Sequence, residues 1–93
     1  MNYKLSFHPD ALVEWRKLDT TVSGQFKKKL GERLQNPRVP AARLAGHEHR
    51  YKIKLRSVGY RLVYEVRDAV LLVIVVAVGK RERNAVYRVA AKR

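Results

Sequence analysis

Lys52 and Lys54 stand two residues apart in YKIKLR, residues 51–56, and Arg61 follows across a Ser57-Val58-Gly59 turn. Lys80, Arg81 and Arg83 come later in the chain, with Tyr87 behind them. In a strand, alternation sends Lys52 and Lys54 to one face and Tyr51, Ile53 and Leu55 to the other. Arg61 joins the two lysines if Tyr60 and Leu62 are buried. Strand-borne cations make a rigid surface for phosphate, and a nearby aromatic ring can stack on a base. The competing reading is a solvated strand face, because exposed edges carry lysine to resist aggregation. Arg61, Lys80, Arg81, Arg83 and Tyr87 favour the phosphate reading.

The whole chain leans the same way. Its 93 residues carry 21 Lys and Arg against 8 Asp and Glu, a net charge of +13. Such a field favours polyanions. From Arg43 onward there are thirteen basic residues against four acids, Glu48, Glu65, Asp68 and Glu82.

Other chemistries find little support. His47-Glu48-His49 has the look of a metal fragment but lacks further ligands. His8, before Pro9, reads as structural. Gly79-Lys80 is no phosphate loop, since residue 74 is Ile and Arg81 stands where Ser or Thr belongs. Ser6, Ser23 and Ser57 have no evident base. The absence of cysteine is consistent with a reducing cytosol. The opening MNYKLSFHPD has no secretory apolar segment. The longest apolar run, residues 69–78, is about half a membrane span. A single cytoplasmic domain over residues 1–93 is expected, with no membrane partner, no metal and no cofactor.

Elements must hold these residues in place. Residues 3–8 alternate as a first strand, with Tyr3, Leu5 and Phe7 inward. His8-Pro9 opens a helix, where proline's missing N–H costs nothing. Ala11, Leu12, Trp15 and Leu18 form its apolar stripe. Asp19-Thr20-Thr21 caps a second helix with Val22, Phe26, Leu30 and Leu34 on one side. The Lys27-Lys28-Lys29 run reads as its wet face. Residues 36–49 are a loop broken by Pro37, Pro40 and Gly46. Strands follow at about 50–56, 60–67 and 70–78. The last is apolar on both faces, hence interior, and Gly79 should break it. Asn84 could cap a short helix over 85–92. The fold class is α+β, in the order β-α-α-β-β-β(-α). It should be an antiparallel sheet with the helical hairpin packed on one face and the other face at least partly free.

Four segments, WRKL (15–18), YKIKLR (51–56), GYRLVYEV (59–66) and VGKRER (78–83) followed by Tyr87, resemble the RelE toxins of bacterial type II toxin–antitoxin pairs. The similarity spans nearly the whole chain. GYRLVYEV is common to the wider RelE/ParE superfamily. The set Lys52, Lys54, Arg61, Arg81 and Tyr87 is more specific to ribonucleolytic members.

The resemblance implies a RelE/ParE-like, microbial-ribonuclease-like fold and a metal-independent endoribonuclease that cuts mRNA in the A site of the 70S ribosome. It implies Tyr87 as general base, with Lys52, Lys54 and Arg61 orienting the phosphate. Arg81 matches the proposed general acid, and an electrostatic role at the leaving oxygen stays open, because an arginine parts with its proton reluctantly. Arg43, Arg50, Arg56, Lys80 and Arg83 are expected to contact RNA around this set. Relatives often carry a basic residue where this chain has Ala45. The resemblance also implies a RelB-like antitoxin as partner, with operator DNA reached only through it. The alternatives are a ParE-like toxin that binds gyrase and a non-catalytic RNA-binding module.

Overall fold

The computed structural model describes residues 2–93. A short strand, β1 (Lys4–Phe7), leads into α1 (Pro9–Arg16) and α2 (Thr20–Gln35). After a 3-10 turn at Pro40–Ala42 come β2 (Arg50–Leu55) and β3 (Tyr60–Arg67). A second 3-10 turn at Asp68–Val70 leads to β4 (Leu72–Lys80), and α3 (Ala85–Ala91) closes the chain.

Local chemistry accounts for the helix starts. The His8 ring accepts a hydrogen bond from the Asp10 N–H at 3.1 Å, with Pro9 in the first helical turn. The Asp19 carboxylate accepts from the Val22 N–H at 2.8 Å, occupying an otherwise orphaned donor. Val22, Phe26 and Leu30 then fall on one buried stripe of α2, four residues apart.

The four strands lie in the order β1-β4-β3-β2. The fully antiparallel sheet expected from sequence is corrected here. β2, β3 and β4 form an antiparallel meander, whereas β1 pairs in parallel with β4, Lys4 opposite Leu72 through Phe7 opposite Val75. The chain between β1 and β4 is long enough to return in either direction, and only short hairpins force antiparallel pairing. β1 is also an edge strand, so Leu5, expected inward, is 39% exposed. β4 does not break at Gly79. It runs to Lys80, pairing Gly79 with Arg61 and Lys80 with Tyr60.

Two apolar clusters sandwich the sheet. On one face Ala11, Val22, Phe26 and Leu30 of the helices meet Tyr51, Ile53, Leu62, Tyr64, Val73, Val75 and Val78. Trp15 bridges Phe7 and Phe26, with ring centroids 5.4 and 6.2 Å away. On the other face α3 puts Val86 and Ala90 against Leu44, Val63, Val76 and Ala77. That face, expected to be at least partly free, is therefore partly covered by the last helix.

A register slip makes this possible. Val63 pairs with Ala77 but Tyr64 pairs with Val75, so Val76 is the extra residue of a bulge. Val76 and Ala77 both join the α3 cluster. From the bulge onward the faces of β4 are exchanged, and Gly79 ends up beside Arg61 on the α3 side.

Phe26 has no exposed surface and joins α2 to Trp15 and the sheet. Phe26→Ala should cost about 3–5 kcal/mol by denaturant unfolding. Val13→Ala, at a position 52% exposed, should stay within about 0.5 kcal/mol of the parent.

Candidate active site

Lys54 lies opposite Arg61 in the β2–β3 ladder, which puts both on the α3 side of the sheet with Lys52. The connecting turn is closed by the Gly59 N–H donating to the Leu55 carbonyl at 2.9 Å. Gly59 has φ +69°, a conformation that suits glycine. Its carbonyl accepts from the Arg81 N–H at 2.6 Å. This bond ties the segment after β4 to the β2–β3 turn and brings Arg81 over Arg61.

Arg61 differs from expectation in its exposure. It shares a face with the lysines, yet it is 6% exposed, and its Nη1 donates to its neighbour's carbonyl, Tyr60 O, at 3.0 Å. α3 and the turn into it cover this guanidinium, which no strand alternation reveals.

The approach of α3 depends on two features of the turn. Arg83 and Asn84 both take left-handed backbone conformations, φ 46° and 60°. These reverse the chain after Arg81 at the cost of local strain. The Asn84 side chain makes no capping bond, contrary to the cap read from the sequence. α3 packs closely on the strand here: a Cβ on Gly79 would lie 3.4 Å from Val86 Cγ2, at the near edge of ordinary contact.

The result is a pocket of about 90 Å³ whose lining includes Lys54, Arg61, Lys80, Arg81 and Tyr87. Lys52 borders it, with Nζ 6.0 Å from the Tyr87 ring centroid. The Tyr87 hydroxyl is buried and has no hydrogen-bond partner among the described residues. A buried hydroxyl of this kind is costly unless a ligand completes it. The charge of Lys52, then partial burial, then Arg56, Arg61 and Arg81 pull the Lys54 ammonium below its usual pKa. The site therefore offers concentrated positive charge around an unpartnered phenol, which suits an oxyanion whose charge grows during reaction.

α3 is held in place by ion pairs at both flanks. Arg50 donates to Glu65 at 3.1 Å and to the Ala90 carbonyl, in the last turn of α3, at 2.6 Å. Arg93 donates to both oxygens of Glu14 at 2.9 and 3.0 Å and to the Val76 carbonyl at the bulge at 2.9 Å. Glu14 also accepts from the Val78 N–H at 3.2 Å. Burial pushes the Glu65 carboxyl up, but hydrogen bonds from Arg67 and Arg50 outweigh it and leave its pKa below the usual value.

The model for the ParE toxin of the type II toxin–antitoxin system parDE matches residues 5–85. The mRNA interferase toxin RelE of Escherichia coli K12 is 57% identical over 93 residues, which is 100% of this chain and 98% of the relative. The chain belongs to the RelE family of toxins. A solved structure of an E. coli RelE mutant in the free state superposes with a TM-score of 0.92 at 55% identity, covering 100% of this chain and 98% of that one. The RelE toxin within the intact E. coli RelBE toxin–antitoxin complex gives 0.83 at 57% identity, covering 87% and 99%.

In this RelE-family toxin Lys52, Lys54, Arg61, Arg81 and Tyr87 converge on one pocket, and Lys80 lines it too. The flanking residues divide. Arg56 is exposed on the lining of a neighbouring groove, and Arg83 is exposed in the turn before α3. Arg43 is exposed, with Nη1 on the His47 carbonyl at 2.9 Å. Arg50, expected to contact RNA, has its guanidinium on Glu65 and the Ala90 carbonyl, where it holds α3. Glu82 and Asn84 also line the pocket, although Glu82 was expected only as one of the few acids and Asn84 only as a helix cap. Their position between VGKR and Tyr87 was the one signal available.

Two outcomes test this geometry. Below the usual glutamate range of about 4.3, Glu65 should protonate only as pH falls through its lower folded value. The stability it lends α3 is thus present above that range and lost on acidification. Exchange protection of α3 amides, corrected for intrinsic rates, should drop in that window, and Glu65→Gln should remove the pH-dependent part of the drop. Lys54→Met should raise the melting temperature at low salt by relieving repulsion, with the gain shrinking at about 1 M salt, where screening is short-ranged.

Proposed function

We propose that this protein is the toxin of a toxin–antitoxin pair and an endoribonuclease that cleaves mRNA in the ribosomal A site. The observation that carries the reading is the unpartnered Tyr87 hydroxyl beside Lys52, Lys54, Arg61 and Arg81. Its relatives' description as mRNA interferases supports it.

In this reading the Tyr87 oxygen takes the proton of an RNA 2′-hydroxyl. The 2′-oxygen attacks the adjacent phosphorus, and the bond to the 5′-oxygen breaks. The products are a 2′,3′-cyclic phosphate and a 5′-hydroxyl. Lys54 and the preorganised Arg61 hold the non-bridging oxygens, whose charge rises in the transition state. Arg81, tied through its N–H to the Gly59 carbonyl, neutralises the departing 5′-oxygen, with its own proton or by charge alone. Exposed Arg56, Lys80 and Arg83 add phosphate contacts, and Arg43 lies further out. The pocket is small, and an acid–base pair of tyrosine and arginine is weak, so placement of the mRNA by the ribosome supplies much of the rate.

A RelB-like antitoxin would be the inhibitory partner, as RelB is in complex with the E. coli toxin. Its acidic groups would neutralise the pocket. Contact with operator DNA would come through the antitoxin, and the site of action would be the cytoplasm.

Primer extension on translated mRNA after induction tests the proposal. Wild type should give cuts within codons, and Tyr87→Phe and Arg81→Ala should each reduce them by about 100-fold or more. Undiminished cutting in both variants would overturn the site. Intact mRNA with a DNA-damage response would favour the gyrase reading instead. Salt-sensitive RNA binding without cleavage, even on ribosomes, would favour a binding module.

A further inference from the structure

A second cationic groove adjoins the pocket. It measures about 290 Å³ and is lined by Arg33, Ala41, Ala42, Lys52, Lys54 and Arg56. No carboxylate lines it. It runs between α2, the Pro40–Ala42 turn and β2, and it shares Lys54 with the catalytic pocket.

Arg33 sets this groove apart from a merely solvated edge. Its Nη1 donates to the Tyr64 hydroxyl at 2.8 Å and to the Lys52 carbonyl at 3.3 Å. Its guanidinium lies 5.7 Å from the Tyr64 ring centroid. The Tyr64 hydroxyl in turn donates to the Pro37 carbonyl at 2.7 Å, and the Tyr64 ring stacks on Tyr51. Arg33 is thus oriented by neutral acceptors on buried, rigid supports. Its charge is fixed in direction and left unneutralised. An edge that only resists aggregation needs charge but no such orientation. A planar guanidinium held still is suited to a phosphate.

We infer that a second phosphate of the RNA, adjacent to the scissile one, sits in this groove on Arg33, Lys52, Lys54 and Arg56. The inference rests on the ribonuclease reading of the neighbouring pocket. A chain charged at every unit needs countercharge at consecutive positions, and Lys54 joins the two places. The depressed basicity of Lys54 agrees with cations gathered here without acidic partners. Small side chains at Ala41 and Ala42 keep the groove open. Arg33 comes from α2, a helix whose basic residues otherwise read as a wet face.

The test uses a short non-cleavable 2′-deoxy oligonucleotide and needs no catalysis. Arg33→Gln should weaken its binding about tenfold, as loss of a charge-assisted hydrogen bond does. The slope of log K against log salt should fall by about 0.7, one phosphate's share on a single strand. Ala41→Glu, at an exposed position on the groove's lining, should weaken binding comparably. A methylphosphonate at the linkage next to the bound scissile position should weaken wild type more than it weakens Arg33→Gln, which keeps Lys52, Lys54 and Arg56 in the groove. Wild-type binding by both variants, or equal methylphosphonate losses in wild type and Arg33→Gln, would overturn the subsite. Normal oligonucleotide behaviour without cleavage on ribosomes would count against the ribonuclease reading and leave the subsite standing.

Discussion

Like charges gathered on one surface repel, and nothing within the gathering can hold it together. Two unit charges 4 Å apart cost about 1 kcal/mol in water and several times that near a protein surface. Lys52, Arg56, Arg61 and Arg81 all act on Lys54 here. Apolar packing on both sides of β4 has to overcome that repulsion. The sheet fixes Lys54 opposite Arg61, and the Gly59–Arg81 bond closes the gap between turn and strand end. What results is a site where cations outnumber the one lining carboxylate, Glu82, and which an added anion relaxes.

The carboxylates follow from the same constraint. Glu14 is spent on Arg93, Glu65 on Arg50 and Arg67, and Asp68 on Arg38 and Tyr3. Asp19 caps a helix. Arginines next to these acids work as fasteners for α3 and for the loop around β1. Arginines without them face solvent or the pocket. The two populations do different things with the same side chain.

Much of the scaffold could be read from the chain. Alternation in YKIKLR sets the faces of β2, and four-residue spacing sets the buried stripe of α2. The signature that joins Lys52, Lys54, Arg61, Arg81 and Tyr87 was visible because their segments are distinctive. Other features were hidden for identifiable reasons. A strand apolar on both faces has no periodicity to betray a bulge, so the exchange of faces at Val76 left no trace. Parallel pairing of β1 depends on the path of the whole chain. Arg50 and Arg56 sit at equivalent alternation positions, and only the location of Glu65 and Ala90 makes one a fastener and leaves the other free. Arg33 looked like part of a solvated helix because its partners, Tyr64 and the Lys52 carbonyl, lie far away in sequence.

The bulge at Val76 makes β4 sensitive to counting as well as to chemistry. Any of its valines could give way to another branched apolar residue with modest loss. Loss of one residue from 74–77 has an outlet: the ladder can close without the bulge, and Gly79 and Lys80 keep their places opposite Arg61 and Tyr60. Gain of a residue has none. With one extra position already taken up, the strand on one side of an insertion would have to turn to the opposite face. The strand therefore acts as an indexing device for the last helix, tolerant in what it is made of and with slack in one direction only.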